Sequence, residues 1–170
     1  MKIVVLAFAA FLAQSAASAT TLWRDVQPGA SVQEVQLAIP EAVEASEPSV
    51  LFDGKTKGLL EVSGFQVGGV DFKATLYFKD ESLDRVFLAP AARPSGEAAF
   101  SLLAKLRDGL NSKYGEAISS QESEQSFSTS FESTWRSDGV LIKLSFNKYG
   151  ETSPAFVQIS YISSSDASNL

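Results

Sequence analysis

From Val70 to Phe78 the chain alternates without a break. Val70, Phe72, Ala74, Leu76 and Phe78 share one side, and Asp71, Lys73, Thr75 and Tyr77 share the other. Only an extended backbone puts every second side chain on one face, so this stretch predicts a half-buried antiparallel strand. Gly68-Gly69 precedes it, after a second apolar run. Two glycines at that place predict a two-residue hairpin loop, because a type I′ turn needs positive φ twice. The loop sets Val67 opposite Val70 and Phe65 opposite Phe72. An unbroken register would then bring Glu61 onto the core face opposite Leu76. A bulge at Ser63-Gly64 removes the conflict by turning Leu60 and Val62 inward, and glycine is the residue a bulge tolerates.

The same logic applies near the C-terminus. Phe127, Thr129, Phe131, Ser133 and Trp135 alternate with polar residues, Asp138-Gly139 is a turn, and Val140, Ile142, Leu144 and Phe146 return. Trp135 then faces Ile142, and Phe131 faces Phe146. Further strands are expected at Val50–Phe52, Leu83–Ala89 and Phe156–Ile162. The segment Glu41–Pro48 is acidic and reads as irregular, and Ser119–Ser126 is a polar stretch ahead of the last sheet segment.

Two helices complete the pattern. Ser31 and Glu34 form a capping box ahead of Val32, Val35 and Ile39, and Pro40 stops the helix after about two turns. Ser95 opens the second helix as its cap, with Glu97 in the first turn. Phe100, Leu103, Leu106 and Leu110 form its apolar stripe, broadened by Leu102 and Ala99. Gly109 weakens this helix and Gly115 ends it. The order predicts an α+β fold of two helix-then-antiparallel-meander units, with both helices packed on one face of the sheet or sheets.

The first 19 residues have the layout of a secretory signal peptide. Lys2 is followed by the apolar run Ile3–Ala13 and by the small-x-small site Ala17-Ser18-Ala19. That run is too short for a membrane span, which needs about 20 residues. The expected division is a signal peptide at 1–19, one compact α+β domain at 20–163 that also reads as two tandem repeats (20–90 and 91–163), and a disordered tail at 164–170. Cleavage removes only Lys2 among the charged residues, so the net charge of −6 becomes −7. An acidic chain of this kind suits neither a nucleic-acid backbone nor an anionic membrane. No later segment is apolar enough to span a membrane.

Composition narrows the chemistry. The chain has no Cys and no His. Disulfides, zinc sites, Ser-His-Asp triads and Cys-His pairs are therefore impossible. Gly54-Lys55-Thr56 ends like a P-loop, but Ser49 stands where the first glycine belongs, and a strand follows instead of a helix. It reads as a turn. Asp80, Glu81 and Asp84 lack the spacing of a calcium loop. No residue is assigned a catalytic, cofactor-binding or metal-ligating role. Tyr77, facing away from the Phe72 side, and Trp135, beside a hairpin tip, are the candidates for partner contact.

The run "PGASVQEV", Pro28–Val35, which opens a short helix ahead of an antiparallel meander, resembles the SmpA/OmlA outer-membrane assembly proteins. Two such units in tandem resemble the architecture of the β-lactamase inhibitor protein. These resemblances imply repeated helix–meander units and a role in binding other proteins. The expectation is a non-enzymatic protein-binding module, periplasmic or secreted, with an envelope or extracellular protein as partner and no cofactor. The alternative is a small-ligand carrier with a pocket between helix and sheet.

Overall fold

The computed structural model describes residues 20–164, except 151. The signal peptide expected at 1–19 lies outside the described residues, as does the tail from 165 onward. In chain order the elements are α1 (Val32–Ala38), β1 (Val43–Val50), β2 (Lys57–Val67), β3 (Val70–Lys79), β4 (Ser82–Pro90), α2 (Gly96–Tyr114), β5 (Ser119–Gln125), β6 (Ser128–Ser137), β7 (Val140–Tyr149) and β8 (Phe156–Ser163).

The expectation of two helix–meander units is corrected. The strands form one eight-stranded antiparallel sheet in the order β1-β2-β3-β4-β8-β7-β6-β5. The halves meet where β4 pairs with β8, with Val86 opposite Tyr161 and Leu88 opposite Ile159. The physical reason is edge protection. Each meander would otherwise end in an open, strongly apolar strand, and an open edge is a template for mispairing. Fusing β4 to β8 buries those edges and leaves the polar strands β1 and β5 outermost. α2 is the substantial helix. α1 has only seven residues, of which Val35 is the buried one.

Local chemistry explains the elements. Ser31 and Glu34 form the expected capping box. The Ser63-Gly64 irregularity interrupts the β2–β3 register where expected, and Gly64 has φ 77°. Val67 pairs with Val70, Phe65 with Phe72, Trp135 with Ile142 and Phe131 with Phe146. Other expectations fail. β1 occupies most of the stretch read as irregular, and the polar stretch 119–126 is nearly all strand β5. Ser95 stands at the N-cap but makes no side-chain capping bond. Of the expected α2 stripe, Ala99, Leu102, Leu106 and Leu110 are buried, whereas Leu103 is half-buried and Phe100 is exposed. Phe100 is 43% exposed, its ring centre 5.4 Å from that of the buried Phe146. Phe127 does not join the core: it is 81% exposed, in the turn between β5 and β6.

A single apolar core joins the sheet, α2, Val35 and Ile39 of the first helical region, and the N-terminal residues Leu22, Trp23 and Val26. These last three are held by a tight turn, in which the Leu22 N–H donates to the Val26 carbonyl at 2.7 Å. Among the described residues no buried side-chain polar atom lacks a hydrogen-bond partner.

Candidate functional site

The two residues proposed for partner contact are both inside the protein. Trp135 is 0% exposed. Its indole N–H donates to Asn111 Oδ1 at 3.0 Å and to the Gly115 carbonyl at 3.1 Å, fastening the end of α2 to the sheet. Tyr77 points away from the helix side, as alternation requires, yet it is only 8% exposed. Its ring lies across Gly58, where an added Cβ would come within 3.2 Å of it, and its hydroxyl is 2.9 Å from that of Ser49. Phe87 packs beside it at 4.8 Å between ring centres. An aromatic side chain on the solvent face of a sheet covers whatever its neighbours leave open, and glycine leaves the most.

The P-loop-like segment is a turn in the β1–β2 connection. Asp53 accepts hydrogen bonds from the Thr56 hydroxyl at 2.6 Å and from the Lys55 and Thr56 amides at 2.9 Å each. These bonds, with the Thr56 hydroxyl foremost, hold the Asp53 carboxyl well below the usual range. Among the described residues, no group of three or more acidic side chains is placed to hold a metal ion.

The feature that can receive a ligand lies elsewhere. A groove of about 390 Å³ runs between α2, the N-terminal turn and the β2–β3 hairpin. Its apolar wall is made by Trp23, Phe65, Leu106, Leu110 and Ile159. Trp23 and Phe65 touch, with ring centres 5.8 Å apart. The Arg24 guanidinium sits over both, 4.5 Å and 5.0 Å from their centres, and also binds the Glu41 carboxylate. Arg24 has φ 50°, the conformation that turns the chain back and directs Trp23 into the core. Lys105 and Lys113 edge the groove from α2. Tyr161 also lines it. Burial, and secondarily the neighbouring Tyr114 phenol, push its hydroxyl far above the ordinary tyrosine value.

Gly109 lies in this lining, in the middle of α2. A Cβ built there meets nothing within 4 Å, and its backbone is not in the left-handed region. Neither packing nor backbone geometry calls for glycine. What its missing side chain does is leave the groove open. Sequence reasoning noticed Gly109 only as a weak point of the helix. It passed over Trp23, Arg24 and Lys105, and met Lys113 only at the end of the helix. The available signal was a helical glycine between two lysines four residues away on either side.

A second surface feature is aromatic. Phe127, Tyr149 and Phe156 are 81%, 66% and 39% exposed. They gather at one end of the sheet. Tyr149 pairs with Ser128, the residue after Phe127, and Phe156 pairs with Asn147.

Comparison with protein-family models, curated proteins and solved structures found no match, which neither supports nor opposes the resemblance to the SmpA/OmlA proteins or the β-lactamase inhibitor protein.

Proposed function

We propose that the chain is a non-enzymatic binding protein, exported to the periplasm or secreted, that carries a small ligand in the groove between α2 and the sheet. The groove itself supports this reading. Its volume of about 390 Å³ falls among ligand sites, which span roughly 300–1,000 Å³. Its lining mixes aromatic and aliphatic surface with a few polar groups, and a helical glycine keeps it open. The dye 1-anilinonaphthalene-8-sulfonate tests it. The native chain should enhance the dye's fluorescence, and Gly109→Leu, which fills the groove, should abolish that enhancement while keeping the native circular-dichroism spectrum. Equal enhancement in both proteins would remove the groove as a binding site.

A second reading, a module that binds an envelope or extracellular protein, draws on the exposed Phe127, Tyr149 and Phe156. Scattered exposed apolar residues are ordinary, but aromatics gathered at one end are the kind of surface that protein interfaces use. Cross-linking in an envelope extract should recover a partner with the native chain and lose it when all three become Ser. Recovery of the same partner by both proteins would rule this surface out.

A further inference from the structure

We propose that the groove takes an amphipathic anion, an acyl chain ending in a carboxylate. The proposal rests on the groove being a ligand site and names what that site selects. The whole chain is acidic, with 20 acidic and 14 basic residues. The groove reverses that balance: among the described residues Arg24, Lys105 and Lys113 line it, and no carboxylate does. Four other cavities each include acidic side chains: Asp25 and Glu34 in one, Asp138 in another, Glu122 and Glu132 in a third and larger one, Asp80 and Asp84 in a fourth.

The three cations are differently placed. Arg24 is fixed over Trp23 and Phe65 and shares its charge with Glu41, so it forms a wall with N–H groups to spare. Lys113 lies over the Tyr114 ring at 5.0 Å and also suits the negative end of α2. Neither Lys105 nor Lys113 forms an ion pair among the described residues. The two lysines stand eight residues apart, on either side of Gly109, which spaces them by about 12 Å along the helix axis at 1.5 Å per residue. An apolar chain lying over Gly109 against Trp23, Leu106 and Leu110 therefore brings a terminal carboxylate to one lysine or the other. Burial of that chain supplies affinity, and the cations select the sign of the head group.

Titration calorimetry on the full chain, with three ten-carbon amphiphiles below their micellar concentrations, tests this. The probes are decanoate, decyltrimethylammonium and uncharged decyl maltoside. Decanoate should bind more tightly than the other two by roughly five-fold, the upper effect of one partly exposed ion pair. Lys105→Glu combined with Lys113→Glu should abolish that preference. Similar binding of all three probes, or a preference that survives the double variant, overturns the anion assignment and leaves the groove a ligand site. Loss of all binding to the native chain, with dye enhancement unaffected by Gly109→Leu, overturns the groove reading as well.

Discussion

At the scale of single residues, Gly109 and Trp135 show opposite kinds of constraint. Gly109 is destabilising in a helix and nothing crowds its missing side chain. Gly109→Ala should therefore raise stability by about 0.5–1 kcal/mol. A denaturant midpoint that falls would show that the glycine is needed for the fold. Trp135 is the reverse case. Trp135→Phe leaves the Gly115 carbonyl and Asn111 without their indole donor, and should cost about 1–3 kcal/mol. A variant as stable as the native protein would show that these bonds are dispensable. Tyr161 adds a pH dependence. Its folded-state pKa is raised, so its contribution is complete below the ordinary tyrosine value of about 10 and is lost as pH climbs past it. The native chain should lose stability above that pH more steeply than Tyr161→Phe, as urea melts at increasing pH would reveal. Parallel curves would refute the buried hydroxyl.

Between residues and the whole lie the elements, where caps and edges decide. Ser31 makes a capping bond and Ser95 does not. Ser31→Ala should cost about 1 kcal/mol and Ser95→Ala less than about 0.5 kcal/mol. Equal losses would mean that α2 also depends on its serine. The bulge glycine is a sharper case. Gly64 has φ 77°, and Gly64→Ala should cost about 1–2 kcal/mol, the penalty of holding an L-residue in left-handed conformation. A silent substitution would mean that β2 can drop its bulge and stay in register. The bulge was legible in the sequence because Glu61 had to be kept off the core. β1 and β5 were not legible, since a strand exposed on both faces has no reason to alternate. The α2 stripe was legible at Leu106 and Leu110, but its centre over the first turns was not, for a related reason: Leu102 and Leu103 are both apolar, and only the facing sheet decides which one is covered.

Across the whole molecule, the β4–β8 pairing makes one folding unit of two halves that look separable in sequence. Neither half should fold alone. A fragment of residues 20–90 would expose the β4 edge and lose α2, which packs over the joint sheet. Its circular-dichroism spectrum should be that of an unfolded chain, and the native protein should melt in a single transition at the same midpoint by far-ultraviolet and tryptophan signals. A folded fragment, or two separate midpoints, would restore the picture of two units.

Strands β2, β3, β6 and β7, their hairpin registers and the α1 capping box were determined by the sequence alone. Each depends on side chains close in the chain, whose alternation or spacing carries its own geometry. Tertiary structure decided the rest: the fusion of two meanders into one sheet, the burial of Tyr77 and Trp135, and the groove. Those depend on residues far apart in the chain. Tyr77 is covered because Gly58 and Phe87 leave room beside it and fill it. Trp135 is covered because α2 ends over it. Trp23, Arg24 and Phe65 meet Lys105, Gly109 and Lys113 only once the sheet has brought the N-terminal turn against α2. No local pattern encodes such a meeting, since the free energy that enforces it comes from the shared core and not from any one segment.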